Sequence, residues 1–398
     1  MNKKIHNFIS VIKLFLAFFI LKIFRRELYK KDIWIVNEKG SEARDNGYVF
    51  FKFLKDNHPE INSYYVITNN SPDRYKIKKY NNIITLNSFK HYIYYLAAKF
   101  SISSQPYGAA PIPTALMHKF HYLRKKQKVI FLQHGIIKDE LSHNLDYKKT
   151  NFDIFTTSTS KEYDFIKETY GYPKHSVQLL GLCRYDNLHN IEEKIKKQIL
   201  IMPTFRSWLV SKDRTNYATQ YEMEKFQKSD YYKSYSNLLS NKKLNALLEK
   251  YDYRVVFYPH YSCQSYIKCF ENLKNNNIII ADRNEYDVQQ LLIESNIMIT
   301  DFSSVLFDFA YMKKPEIYFQ FDEEQFRKSH YKQGYFDYSK DGFGPVTETV
   351  DEVIDEIEKI CENKAKISDF YLNRINDFFD LHDNKNCERT YNAIINLK

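Results

Sequence analysis

After residue 31 the chain alternates short, almost continuous apolar runs with longer polar stretches. The runs are IWIV at 33–36, YYVIT at 64–68, NIITL at 82–86, FSISS at 100–104, VIFLQ at 129–133, IFTTS at 154–158 and VQLLG at 177–181. A second series follows, with ILIMP at 199–203, RVVFY at 254–258, NIIIA at 277–281, IMIT at 297–300 and EIYFQF at 316–321. A strand wetted on one side alternates polar and apolar residues, whereas a near-continuous run suits a parallel strand covered on both faces. The intervening lengths suit crossover helices, so the pattern predicts an α/β protein with two doubly wound, Rossmann-like domains. The polar stretch NLHNIEEKIKKQ separates the two series. The expected organisation is an N-terminal segment 1–31, an N-terminal α/β domain 32–190 and a C-terminal α/β domain 191–398. Residues 206–250 read as helices or an inserted lobe, and 350–398 as helical, with Val350, Val353, Ile354 and Ile357 at helical spacing.

The first segment has a different character. Phe8 to Phe24 reads FISVIKLFLAFFILKIF, interrupted by Lys13 and Lys22, preceded by Lys3 and Lys4 and followed by Arg25, Arg26, Lys30 and Lys31. A spanning helix wants about 20 apolar residues with few charges. A secretory signal would end in small residues and a cleavage site, and here a basic cluster stands in that place. At about 100° per residue the two lysines fall on opposite sides, so the segment is not cleanly amphipathic. The expectation is an interfacial helix whose lysines reach the headgroups and whose basic flanks meet an anionic membrane surface. The alternative is an ordinary helix packed on the first domain.

Composition narrows the partners. A net charge of +10 suits an anionic partner. Zinc-finger, RNP and basic-zipper patterns are missing, so no nucleic acid is expected. The five cysteines contain no CxxC, which speaks for a reducing compartment and against a disulfide framework or structural zinc site.

Ligands of doubly wound proteins bind at the carboxyl ends of the strands, and in two-domain cases in the cleft between domains. Three stretches place chemistry at such ends. His134 follows VIFLQ and precedes Gly135, which presents an imidazole suited to general-base work at neutral pH. His260 follows RVVFY in the same way, giving one histidine per series. IMIT ends at Thr300, after which Asp301, Ser303 and Ser304 are expected to cap a helix whose free amides would hold a phosphate. Asp308, one turn on, is a candidate for a donor hydroxyl. The blander reading makes the serines simple N-caps. Arg184 in GLCRYD and Arg206 in MPTFR could grip phosphate in a bidentate way, or make structural salt bridges. The chain has no Walker A loop, no GxGxxG after the first strand and no DxD, so neither a cofactor nor a metal is expected.

In order, HGIIKDE (134–140), GLCRYDNL (181–188), MPTFRSW (202–208), FYPHY (257–261), TDFSSVLFDFAYMKKPEIYFQFDEEQF (300–326) and GFGPV (342–346) resemble the CDP-glycerol glycerophosphotransferase family of teichoic acid and capsule synthesis. The resemblance implies a GT-B architecture, two domains facing a cleft, at the cytoplasmic face of a bacterial plasma membrane. It implies transfer of glycerol phosphate from CDP-glycerol, or of a related polyol phosphate from a donor such as CDP-ribitol, to a lipid-linked polymer acceptor, with CMP leaving. His134 and His260 match the family's two functional histidines. Ser303, Ser304 and Asp308 match its phosphate- and donor-binding run. The chain departs from the family at Cys183, where proline is common, and at Tyr258 and Pro259, where arginine-containing sequence usually precedes the histidine. Two alternatives stay open: a GT-B glycosyltransferase using a nucleotide sugar, and a non-catalytic member of a polymer-assembly complex.

Overall fold

A computed structural model describes residues 3–397, apart from 114, 115, 117, 118, 125 and 211–216. Its contacts divide the chain into two units, Met1–Ile136 with Ser142–Asn187 and Asp383–Lys398, and Ile137–Leu141 with Leu188–His382.

In the first unit, β1 (Trp34–Asn37), β2 (Ser63–Ile67), β3 (Ile83–Thr85), β4 (Phe100–Ser103), β5 (Lys128–Phe131), β6 (Ile154–Thr157) and β7 (Val177–Leu179) form a seven-stranded sheet in the order β3-β2-β1-β4-β5-β6-β7. Every pairing is parallel. Alternate side chains supply two cores, as the pleat requires. Ile33 and Ile35 pack on one side with Val66, Ile84 and Leu14, Ala17 and Leu21 of helix α1 (Lys3–Ile23). Trp34 and Val36 pack on the other with Phe50, Phe51 and Leu54 of helix α2 (Asn46–Asn57).

Helix α1 explains why its sequence did not look amphipathic. It has two apolar faces. Ser10, Leu14, Ala17 and Leu21 are buried against the first unit, while Phe8, Ile12, Leu16 and Phe19 on the opposite side are 66%, 43%, 52% and 58% exposed. Lys13 and Lys22 fall at the two borders between these faces, where a lysine can reach outward along either edge. The side chains of Lys3 and Lys4 lie outside the described set.

The last residues of the chain belong to the first unit, whereas the sequence pattern had grouped them with the C-terminal domain. The helix Asn386–Ile395 is held there by Asp186, whose carboxylate oxygens accept from the amides of Asn386 and Cys387, each at 2.9 Å. Gly181, at φ +79°, leaves the space Asn386 occupies: a Cβ there would come within 1.8 Å of the Asn386 Oδ1.

The second unit is a six-stranded parallel sheet of β8 (Gln198–Ile201), β9 (Arg254–Phe257), β10 (Ile278–Ile280), β11 (Ile297–Thr300), β12 (Glu316–Phe319) and β13 (Val346–Thr347), in the order β10-β9-β8-β11-β12-β13. The stretch 206–250 resolves into helices Gln220–Gln227, Asp230–Leu239 and Lys242–Tyr251. Their Tyr231, Tyr235, Leu238, Leu244 and Leu248 join the core over β8 and β9. Residues 211–216 of that stretch lie outside the described set. The short strap Ile137–Leu141 also belongs to this unit. Asp139 on it accepts from Arg327 Nη1 at 2.7 Å, and the Glu140 amide donates to the Lys332 carbonyl at 3.0 Å.

Candidate active site

Each sheet has one place where the chain's winding reverses direction, between β1 and β4 in the first unit and between β8 and β11 in the second. The carboxyl ends of strands at such a switch point are where doubly wound folds bind ligands. His134 follows β5, the neighbour of β4, and His260 follows β9, the neighbour of β8.

His134 sits past a residue with a left-handed backbone, Gln133 at φ +59°. Its ring hydrogen-bonds to the backbone of Ser104, just past β4. A ring N–H given to a carbonyl leaves the other nitrogen bare, the tautomer a general base needs. The ring has open surface but is recessed, and the low-dielectric surroundings lower its pKa from the ordinary histidine value. Asp45 opposes that shift, while Arg184 and Lys39 add to it.

Arg184 has a different task from the phosphate grip expected of it. Its Nη1 donates to Asp45 Oδ1 at 2.8 Å and to the His134 carbonyl at 2.9 Å, and its guanidinium is largely buried. It holds the histidine loop.

In the second unit three loops converge after β8, β9 and β11. Arg206 again departs from the expectation. It is fully buried, with Nε and Nη2 on the two oxygens of Asp322 at 2.7 Å each, and Nη1 on Asp301 Oδ2 at 2.9 Å and the Thr204 carbonyl at 2.8 Å. No surface remains for a ligand phosphate. Asp301, also fully buried, accepts from the amides of Thr204 at 2.8 Å and Phe302 at 2.6 Å instead of capping a helix. Thr300 Oγ1 donates to the Met202 carbonyl at 2.8 Å. These three residues therefore bind the β8 loop to the β11 loop.

What the frame presents is the turn Phe302–Val305. The helix after it, Leu306–Tyr311, begins a turn later than the serines imply, with Val305 at the N-cap and no side-chain cap. Ser303 Oγ accepts from the Val305 amide at 3.4 Å. The amides of Ser303 and Ser304 have no acceptor among the described residues, and both residues are part-exposed. Two unpaired N–H groups and two hydroxyls on a rigid turn make a site for phosphate oxygens. Asp308 is buried rather than open. Its charge, after burial itself, helps push the pKa of the buried Glu316 well above the usual carboxylate range.

His260 is bonded the opposite way to His134. Its Nδ1 accepts from the Ser262 amide at 3.2 Å, and its ring stacks on Phe205 with centroids 4.8 Å apart. The neutral ring then carries its proton on Nε2, which suits donation to a phosphate oxygen. A third histidine, which the sequence did not flag, flanks the same Phe205: His330, with centroids 4.5 Å apart and Nδ1 accepting from the Ser207 amide at 3.1 Å. Burial, ahead of the nearby Arg206 cation, lowers its pKa to about 4, so it is neutral at physiological pH. Nothing in RKSHYK marks it, because its loop meets the β8 loop only through the fold.

Two doubly wound parallel units, each with a histidine past a strand beside its switch point, make a two-domain α/β protein of the GT-B type of fold. The chain belongs to the CDP-glycerol:poly(glycerophosphate) glycerophosphotransferase family, which it matches over residues 17–396. It is 36% identical over 370 residues to the minor teichoic acid biosynthesis protein GgaB of Bacillus subtilis, covering 92% of this chain and 40% of that protein. It is 23% identical over 396 residues to the teichoic acid poly(glycerol phosphate) polymerase of the same organism, covering 93% and 49%. The chain thus spans less than half the length of these two relatives. Among solved structures, a histidine variant of the wall teichoic acid polymerase TagF soaked with CDPG superimposes with a TM-score of 0.67 at 17% identity, covering 98% of this chain and 99% of that one.

Proposed function

We propose that the chain transfers glycerol phosphate, or a related polyol phosphate such as ribitol phosphate, from a CDP-activated donor to a hydroxyl of a lipid-linked or polymeric cell-surface glycan. The reading is carried by the Ser303–Ser304 turn, whose amides have no acceptor among the described residues, together with a histidine past a strand end beside the switch point of each unit. His134 takes the proton of the acceptor hydroxyl as its oxygen attacks the β-phosphorus. The bond from that phosphorus to the bridging oxygen breaks, and CMP leaves with the electron pair. His260 Nε2–H donates to the phosphate oxygens, and the Ser303–Ser304 turn holds the diphosphate. Each such hydrogen bond to a charged group contributes roughly 1.5–3 kcal/mol. The test is incubation of the purified chain with an acceptor and a panel of CDP-glycerol, CDP-ribitol and UDP-sugars. CMP release with a polyol-phosphate mass gain on the acceptor is expected. Turnover of a UDP-sugar alone would establish the glycosyltransferase reading in its place.

The second part of the reading concerns place. The exposed face of α1 carries no charged residue between its bordering lysines, and Arg25, Arg26, Lys30 and Lys31 follow with their side chains exposed. The stretch Ile5–Ile23, of mean hydropathy 1.7, is long and apolar enough to cross a membrane by length and composition. Its inner face is already committed to protein, which favours a helix lying in the interface of the cytoplasmic membrane face rather than spanning it. Burying one large apolar side chain contributes roughly 1.5–3 kcal/mol. Changing Phe8, Leu16 and Phe19 to Glu is therefore expected to release the protein from vesicles containing anionic lipid. Equal sedimentation of variant and parent with those vesicles would refute it.

A further inference from the structure

We propose that Asn46 is a positioning residue for His134, clamping the backbone on both sides of the histidine loop. Asn46 opens α2 and is fully buried. Its Nδ2 donates to the Gln133 carbonyl at 2.8 Å, and its Oδ1 accepts from the Arg184 amide at 2.9 Å. The first bond seizes the residue immediately before His134. The second seizes the arginine whose guanidinium holds the His134 carbonyl. Both His134 peptide neighbours are thus tied to one side chain, directly or through one arginine.

The chemistry selects the residue type. The site must give a proton to one backbone oxygen and take one from a backbone N–H, within the reach of a single methylene. Asparagine does both; aspartate lacks the donor, and glutamine is a methylene too long. The neighbours are arranged to the same end. Asp45, the N-cap of α2, makes no side-chain cap bond and instead pairs with Arg184. Gly47 lets the helix start approach β1, since a Cβ there would lie 2.6 Å from the Asn37 carbonyl oxygen. The left-handed Gln133 is a conformation that a non-glycine residue keeps only when its surroundings over-determine it. The Asn46 bond to its carbonyl is such a restraint. The run RDNG gives no hint of this in the sequence, because its partners lie 87 and 138 positions away.

This inference rests on His134 acting as the general base. The experiment uses the full chain, with Asn46→Asp, which keeps shape and acceptor but removes the donor, and Asn46→Ala, which removes both. Four quantities are measured: CMP release from CDP-glycerol with acceptor, calorimetric donor affinity, thermal unfolding, and the NMR titration of the labelled histidine rings. Turnover is expected to fall by between about 10-fold and 10²-fold, the scale of a misplacement near 1 Å. Donor affinity is expected to hold, and the His134 titration to move while that of His260 does not. A folded Asn46→Asp variant with parental turnover and an unmoved His134 titration would overturn the proposal. So would turnover and donor affinity lost in parallel with His134 unmoved, which marks a purely structural role. If Asn46→Ala fails to fold, the aspartate variant decides. A parent that turns over no CDP-polyol refutes the proposed activity, while the ring titrations still decide the clamp.

Discussion

Replacing His134 with alanine is expected to lower turnover by about 10²–10⁴-fold, the usual contribution of a positioned general base. Donor affinity should be nearly intact, because the Ser303–Ser304 turn and His260 belong to the other unit. The pH dependence gives a second reading. The surroundings lower the His134 pKa, so the ring stays neutral, and able to accept a proton, below the ordinary histidine value near 6.5. The acidic limb of the parent's pH–rate profile should therefore fall below pH ~6.5, and His134→Ala should lose it. His260→Ala should lose turnover together with donor affinity, since its Nδ1 accepts from the Ser262 amide, which puts the proton of the neutral ring on Nε2, the nitrogen assigned to the phosphate. Retained turnover in His134→Ala would overthrow the base assignment. Donor binding lost in His134→Ala and kept in His260→Ala would reverse the two roles.

Arg206→Met should destabilise the second unit by about 3–5 kcal/mol, the cost of leaving buried carboxylates without their cation. Asp301 and Asp322 both lean on this one guanidinium, and Phe302 lies under it at 5.3 Å. Calorimetry should show a lower melting temperature for the variant. Donor affinity should fall with it, because the turn that presents the Ser303 and Ser304 amides loses its frame. Arg206→Lys should recover little, since a single ammonium cannot repeat the fork on Asp322 while reaching Asp301. A variant that melts with the parent and loses only donor affinity would return Arg206 to the role its sequence position implies, direct contact with the phosphate.

The parallel strands were legible because burial on both faces leaves its mark in the residues themselves. VIFLQ, ILIMP and IMIT each lie within a residue or two of a strand, whatever they pack against. The exception is β13, whose two residues are too few to make a pattern. The positions of the two histidines were legible for a related reason: strand ends in a doubly wound sheet are where topology gathers ligands, so a titratable residue there stands out before any contact is known. The double-faced α1 was half legible. Its apolar length was plain, but which side meets protein and which meets solvent depends on where Tyr92, Tyr95 and Leu96 come to lie.

What the tertiary structure alone decided is how the charges and amides are spent. Arg184 and Arg206 both follow strands and both suit a phosphate, yet each closes on carboxylates far along the chain, Asp45 139 positions away and Asp322 116 away. Asp301 serves Arg206 instead of a helix end, Asn46 serves the loop of His134, and Asp186 captures a helix from the far end of the chain. The physical reason is one of range. Burial of a strand is a local property, repeated every second residue and written in composition. The partner of an arginine, a carboxylate or an amide is chosen by packing between distant segments, and the same side chain reads identically in sequence whether it meets a ligand or another residue.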